Sequence, residues 1–297
     1  RCGDMGPRRL FRGRSRLMQP LVINAALTGM VPQRTDSPYV PLQPKEIVAD
    51  AKRCFEAGAT ILHLHARDAD DRPTYERSVY EEIFAGVRAE CPGVVISGSC
   101  SGRMHSEFRQ RSQVLDAQPE LASLTLGSLN FARQASLNEP EMIRRLAAAM
   151  LQRGVRPELE IFDAGMADFA QYLADKQLIR PPFYANLLLG SLGTMAATPD
   201  NLCHLVRCLP PGTTWAATGI GRHQFFVNSL AIAMGGHVRV GLEDALYYDW
   251  TDKQLATNAG LIDRIVRVAS AIGRDIARPQ QTRELLGLPT TTKRQAA

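Results

Sequence analysis

The sequence predicts an α/β protein with a (β/α)₈ TIM-barrel fold. Short apolar runs typical of buried strands alternate with amphipathic stretches, and eight such pairs follow one another along the chain. A barrel of this kind needs about 250 residues, and the interval from Met18 to about Ala277 has that length. The eight predicted strands are 21–26, 59–64, 94–97, 121–126, 158–162, 183–189, 214–218 and 237–241.

The amphipathic stretches between the strands predict the crossover helices, of which the clearest are 44–57, 139–153 and 199–208. Asn138 and Thr198 directly precede the second and third of these helices, where such side chains cap free backbone N–H groups. No low-complexity linker divides the chain. We therefore expect a single barrel domain over 18–297, with the tail after Arg278 as a C-terminal extension outside the barrel core.

The positive charge of the chain is concentrated at one end. Of 35 basic and 30 acidic residues, six and one respectively lie within the first 17 positions, which leaves 29 of each sign elsewhere. Residues 1–17 thus account for the whole formal charge of +5 and are expected to form a disordered Arg-rich leader. Because the rest of the chain is neutral, the composition offers no support for nucleic-acid binding.

Membrane binding and disulfide bonding also find no support in the sequence. No apolar run reaches the length of about 20 residues that a membrane-spanning helix needs. The six cysteines include no C-x-x-C pair and suggest no disulfide framework, so we expect reduced thiols and a cytoplasmic protein.

A His-x-His pair ends the second predicted strand. Side chains alternate along a strand, so His63 and His65 point to the same side of it. Two neutral imidazoles on one face bind zinc well, and a third protein ligand leaves an open position for a substrate. The eighth strand is followed by Glu243 and Asp244, either of which can complete the set. A hydrogen-bonded pair of core histidines is the structural alternative for His-x-His alone, whereas the added carboxylates favour a metal.

Barrel enzymes assemble their active sites at the carboxyl ends of the strands, and further polar residues fall there. Alternation places Arg239 on the same side of the eighth strand as Glu243, so we expect it to pair with a carboxylate or a bound anion. A site of His63, His65 and Glu243 is suited to polarising a carbonyl oxygen. Asp244 is then free to act as a base, although an aspartate at this position also caps helices.

Three more residues are candidates for the same end of the barrel. Glu160 on the fifth strand is either an acid of the site or a structural ion-pair partner. Ser99 and Thr125 follow or close the third and fourth strands and carry hydroxyl groups suited to a carboxylate. Loops after strands are rich in serine and glycine in any case, so these two positions also have a purely structural explanation.

Five stretches of sequence carry a resemblance to a known family. Together they are similar to the β-keto acid cleavage enzymes, which include the 3-keto-5-aminohexanoate cleavage enzyme, and the similarity runs from about Leu21 to Asp249. The stretches are NAALTG at 24–29, HLHARD at 63–68, SLTLGS at 123–128, PELEIFDAGM at 157–166 and GHVRVGLED at 236–244.

The resemblance implies a zinc-dependent barrel that condenses a β-keto acid with acetyl-CoA to give acetoacetate and a new acyl-CoA. It also implies a homo-oligomer, in this family a tetramer. Carried over by position, the metal ligands are His63, His65 and Glu243, the general base is Asp244 with Arg239 as its charged partner, Glu160 is a supporting acid, and Ser99 and Thr125 hold the substrate carboxylate.

The loop after the first strand departs from the family pattern. Relatives that act on an amino-substituted keto acid carry an acidic residue there, whereas this chain has no carboxylate before Asp36. A pocket lined by Met30, Val31 and Pro32 should disfavour an ammonium group, because burying it unpaired is costly. We therefore expect a substrate that is neutral and apolar at its far end, or anionic if Arg34 turns inward.

Two other functions fit parts of the pattern. A metal-dependent hydrolase with the same fold also uses His-x-His at a strand end, although usually on the first strand and with further histidine ligands on later strands. A non-catalytic barrel that binds an acyl-CoA or a small acid is the second alternative, and the filled metal and base positions speak against it.

Overall fold

The fold is known from a computed structural model, which describes residues 18–104, 107–131 and 134–289. The expected leader at 1–17 lies outside these residues. Eight parallel strands close into a barrel, as the sequence predicts. In chain order they are β1 (Ile23–Ala26), β2 (Ile61–Leu64), β3 (Val95–Gly98), β4 (Leu121–Thr125), β5 (Arg156–Ile161), β6 (Tyr184–Leu189), β7 (Thr214–Gly219) and β8 (His237–Val240). Each strand pairs with its neighbours in sequence, and β8 closes the ring by pairing with β1.

Helices follow the strands and pack against the barrel, and the last two come after β8. In chain order they are α1 (Pro44–Glu56), α2 (Arg77–Glu90), α3 (Phe108–Arg111), α4 (Gln113–Asp116), α5 (Pro140–Arg153), α6 (Ala164–Asp175), α7 (Pro199–Cys208), α8 (Gln224–Ala233), α9 (Asn258–Ala271) and α10 (Pro279–Leu285). Small two-stranded hairpins follow β2, β4 and β8, so they stand at the carboxyl ends of the strands. Within the described residues no helix is long and apolar enough to cross a membrane.

The two capping predictions have different outcomes. Thr198 caps α7, since its side chain accepts a hydrogen bond from the Asn201 backbone N–H. The prediction for Asn138 is wrong, because α5 begins at Pro140 and Glu139 takes the N-cap position without a side-chain bond. Asn138 instead accepts a hydrogen bond from Arg111 at 2.7 Å. A buried guanidinium needs acceptors, and this need determines where the amide points.

The C-terminal tail differs from the expectation that it lies outside the core. Leu286 and Leu288 are buried against the first inward-facing residues of the strands, among them Val22, Ile61, Val95, Leu121 and Tyr184. Arg283 of α10 forms a buried ion pair with Glu120 at 3.0 Å. The tail therefore closes the amino-terminal end of the barrel, where open strand ends would leave apolar side chains exposed to water.

Candidate active site

A cavity of about 560 Å³ opens at the carboxyl ends of the strands. This is a normal size for a small-molecule site. All eight residues singled out in the sequence line it: His63, His65, Ser99, Thr125, Glu160, Arg239, Glu243 and Asp244. They come from five strands or the loops directly after them, so the closed barrel brings together residues up to 181 positions apart in the chain.

His63, His65 and Glu243 form a compact group of metal-ligand atoms. The two imidazole Nε2 atoms are 3.2 Å apart, and His65 Nε2 is 3.2 Å from Glu243 Oε1. His63 Nε2 is 3.7 Å from Glu243 Oε2. Four zinc ligands at bond lengths of 2.0–2.2 Å are separated by about 3.3 Å in a tetrahedron, so these three donors fit a zinc ion with one open position.

The polar atoms around this group are incompletely satisfied by the protein. Within the described residues, two buried atoms, Glu243 Oε2 and His65 Nδ1, have no hydrogen-bond partner. Two imidazole nitrogens that face each other at 3.2 Å share at most one proton. A cation between the three donors would remove this mismatch, which supports the metal reading over a hydrogen-bonded histidine pair.

Glu158 fixes the orientation of the His63 ring. Its Oε2 lies 2.9 Å from His63 Nδ1, and this contact leaves Nε2 directed at the other two donors. The same carboxylate accepts hydrogen bonds from Ser97, Asn24 and Asn186. Burial opposes its ionisation, but His63, the charge of Arg239 and the hydrogen bond from Ser97 outweigh burial and lower the pKa of Glu158 to about 2.

Arg239 organises the acids on the other side of the group. Its guanidinium contacts Glu160 at 3.1 Å, Glu243 at 2.8 Å and Asp244 at 2.9 Å. Thr125 donates a hydrogen bond to the second oxygen of Glu160 at 2.7 Å. Burial raises the pKa of Asp244, with a further contribution from the neighbouring charge of Glu243 and an opposing one from Arg239.

Two glycines allow Glu243 to reach the two histidines. Gly29 has φ +69°, and a Cβ at this position would lie 2.7 Å from Glu243 Cγ. Gly241 has φ +155°, and a Cβ added at this position would lie 2.1 Å from the carbonyl oxygen of Ala26. That oxygen accepts the backbone N–H of Glu243, so the ends of β1 and β8 close tightly at this point.

Sequence comparison identifies the family to which this site belongs. The family model for beta-keto acid cleavage enzymes matches residues 20–288. The chain is a member of the β-keto acid cleavage enzyme family. It is 36% identical over 273 residues to the 3-keto-5-aminohexanoate cleavage enzyme of Fusobacterium nucleatum subsp. nucleatum, covering 92% of this chain and 99% of that protein.

Other β-keto acid cleavage enzymes differ in the acid named for them. The 3-oxoadipate:acetyl-CoA acetyltransferase of Cupriavidus necator is 34% identical over 278 residues, with 92% of this chain and 97% of that protein covered. Among solved structures, the apo structure of ObcA matches with a TM-score of 0.75 at 21% identity, over 85% of this chain and 66% of that chain. The names of the two curated relatives thus specify different keto acids, 3-keto-5-aminohexanoate and 3-oxoadipate.

The loop after β1 forms one wall of the cavity in this β-keto acid cleavage enzyme. Met30, Val31 and Pro32 line it, as expected from the sequence. Arg34 does not turn inward, because its guanidinium is bound to Glu46 and Asp71 on the exposed surface.

Several residues of the site escaped the sequence reasoning. Glu158 has no role among the sequence predictions, although it lies on the fifth strand two positions before Glu160, so that both face the same side. Arg67 donates hydrogen bonds to the carbonyl oxygens of Gly29 and Pro32 and so fixes the loop after β1. Arg103 also lines the cavity, and it lies in a loop, where no periodicity indicates the direction of a side chain.

Proposed function

We propose that this enzyme is a zinc-dependent acyltransferase that exchanges acyl groups between a β-keto acid and acetyl-CoA, giving acetoacetate and a new acyl-CoA. The observation that carries the proposal is the group of His63, His65 and Glu243 with Asp244 held beside it by Arg239. Membership of the β-keto acid cleavage enzyme family supports the reaction type.

His63, His65 and Glu243 would hold the zinc ion, and Glu158 would keep His63 in the tautomer that leaves Nε2 free to bind it. Zinc supplies a Lewis acid that polarises the keto and carboxylate oxygens of the substrate and so acidifies the carbon between them. Ser99 and Thr125 border the same space. The Ser99 hydroxyl is suited to donate to the substrate carboxylate, whereas Thr125 would do so only by giving up its hydrogen bond to Glu160.

Asp244 would take the proton from the carbon between the two carbonyl groups. The side chain is buried, and Arg239 fixes it through Nε on Oδ2. A buried carboxylate with a raised pKa is a stronger base than an exposed one, and the ion pair with Arg239 keeps it ionised before the reaction. Glu160, on the opposite side of Arg239, would keep the guanidinium in place.

The exchange requires no redox cofactor. The substrate carbanion forms a bond to the acetyl carbonyl carbon while the acetyl C–S bond breaks and the CoA thiolate leaves. The thiolate then bonds to the original keto carbon, and the bond from that carbon to the carbon that had lost its proton breaks. The proton held by Asp244 returns to the latter carbon and gives acetoacetate. Atoms balance, because one thioester and one β-keto acid are consumed and one of each is formed.

The proposal is tested with zinc-loaded enzyme, acetyl-CoA and a panel of 3-keto acids, with acetoacetate and the new acyl-CoA measured by mass spectrometry. We expect both products in equal amounts and about one zinc per chain by elemental analysis. A variant with His63→Ala and His65→Ala should keep its fold and lose both the metal and the products. Cleavage that proceeds without acetyl-CoA would indicate a hydrolase, and full zinc in the double variant would contradict the ligand set.

Cytoplasmic location and a homo-oligomeric, tetrameric assembly remain predictions from the sequence. Light scattering of the purified protein during size-exclusion chromatography measures the assembly directly, and a monomeric mass would contradict the prediction.

A further inference from the structure

Two arginines line the cavity within the described residues, and the second one has no assigned role. Arg103 lies in the loop after β3. Its backbone is tethered on both sides, since its N–H donates to Ser101 Oγ at 3.3 Å and its carbonyl accepts from Gln134 Nε2 at 3.5 Å. The partly buried side chain therefore extends into the cavity from a fixed point.

The guanidinium of Arg103 lies flat on an aromatic wall. Its Cζ is 3.5 Å from the centre of the Phe131 ring, and Phe131 packs edge-on against Phe162. Both rings line the cavity. Stacking of this kind uses the face of the guanidinium and leaves the N–H groups at its edge free to donate.

Among the residues that the structure describes, no protein acceptor takes these N–H groups. Across 18–104, 107–131 and 134–289, the Arg103 guanidinium donates no hydrogen bond and forms no ion pair. The nearby carboxylates of Glu243, Glu160 and Asp244 are already paired with Arg239. Burial lowers the pKa of Arg103, and the charges of those three acids oppose this effect. A partly buried guanidinium that has no acceptor among the described residues keeps N–H donors available at the cavity, and this points to an anionic ligand.

We propose that Arg103 binds a second carboxylate at the far end of the keto acid, and that the preferred substrates are β-keto diacids; this inference rests on the proposed function. A keto acid that binds with its keto and carboxylate groups at the metal group and at Arg239 extends the rest of its carbon chain into the remaining part of the cavity. Met30, Phe131, Phe162 and Leu188 supply apolar walls for that chain. Within the described residues Arg103 forms no ion pair with the carboxylates of the metal group, which are paired with Arg239 instead.

Other charged groups at the cavity do not provide this interaction. Asp36 lines the cavity but is exposed, and its Oδ2 accepts the Gln33 backbone N–H at 2.9 Å. Its charge also has the wrong sign for a carboxylate. Arg34 is bound to Glu46 and Asp71 and does not line the cavity. The sequence predicts an anionic substrate only if Arg34 turns inward, which it does not. The expectation of an anionic substrate now rests on Arg103 instead.

The test compares kcat/KM for 3-oxoadipate and for 3-oxohexanoate, which has the same chain length and no second carboxylate. Arg103→Met keeps the packing on Phe131 and removes the charge. We expect it to lower kcat/KM for the diacid at least about 30-fold and for the monoacid less than about 3-fold. KM for acetyl-CoA should be unchanged, and Arg34→Met, the matched control, should leave the ratio between the two acids as in the wild type.

Equal losses for both acids would overturn the proposal and place Arg103 on the carboxylate that they share. If Arg103→Met raises only KM for acetyl-CoA, the proposal is overturned, and Arg103 binds a phosphate group of CoA instead. Calorimetric titration of the zinc-loaded enzyme with adipate and with hexanoate needs no turnover. The wild type should bind adipate at least about 10-fold more tightly than hexanoate, and Arg103→Met should not. Failure of every keto acid to react would contradict the proposed function alone, while this titration still tests Arg103.

Discussion

Single residues at the strand ends determine what this site is able to do. Strand alternation was sufficient to predict that His63 and His65 share a face, and that Arg239 lies on the side of Glu243. It did not reveal that Asp244 is held by the same guanidinium as Glu243, because the turn after β8 breaks the alternation.

Asp244→Asn tests the base. We expect it to keep zinc and substrate affinity and to lower kcat by about 10²–10⁴-fold, because an amide does not accept the proton. Stopped-flow and steady-state kinetics on zinc-loaded protein measure this loss. A decrease of only a few-fold would mean that another group is the base, and Glu160→Gln would then be the variant to examine, since Glu160 contacts the same guanidinium.

Glu158→Gln tests the support of the metal site. Loss of the carboxylate beside His63 Nδ1 should weaken zinc binding by about 10–100-fold, as for other groups that orient a metal-binding histidine. Competition with a chromophoric chelator gives the dissociation constant. Glu90→Gln, which removes an exposed carboxylate paired with Lys52, is the matched control and should bind zinc as the wild type does. Unchanged affinity in Glu158→Gln would contradict the assigned role.

At the scale of elements, the strands were predicted well and their connections less well. Apolar runs mark buried strands wherever they occur, and all eight predicted runs overlap barrel strands. Asn138 was misassigned as a helix cap because a capping residue is recognised from local sequence alone. Its actual partner, Arg111, lies 27 positions away and is brought near only by the fold.

The start of β8 carries a buried neutral histidine that should couple stability to pH. His237 Nδ1 accepts the Val22 backbone N–H at 3.0 Å, and burial together with the nearby charge of Arg274 lowers its pKa to about 3. In the unfolded chain His237 has a pKa near 6.5. Between about pH 3 and pH 6.5 the unfolded chain therefore binds more protons at this residue than the folded protein does. The free energy of unfolding should therefore fall with decreasing pH, by up to about 1.4 kcal/mol per pH unit from this residue.

His237→Asn, whose side-chain oxygen accepts the same N–H, should lose this contribution. Urea unfolding at pH 6.5, 5.5 and 4.5 compares the two proteins, and every other titrating group is common to both. The slope of unfolding free energy against pH should be smaller in the variant by about 1 kcal/mol per pH unit. Parallel slopes would show that His237 is not held neutral in the folded protein.

For the whole molecule, closure of the barrel turns scattered residues into one site. Length and alternation were enough to predict the barrel and its active end. They were not enough to predict that Leu286 and Leu288 seal the opposite end, because that packing depends on residues such as Val22 at the far end of the chain. Arg103 was missed for a similar reason, since its partner Phe131 belongs to a different loop.

The central claim is that this enzyme joins the acetyl group of acetyl-CoA to a carbanion derived from the keto acid. The measurement is the position of label in acetoacetate made by zinc-loaded enzyme from unlabelled keto acid and acetyl-CoA carrying ¹³C at both acetyl carbons. Because the acetyl carbonyl accepts the carbanion generated by Asp244, the account predicts label at C3 and C4 of acetoacetate and none in the new acyl-CoA. Label at C1 and C2, or products without acetoacetate, would contradict it.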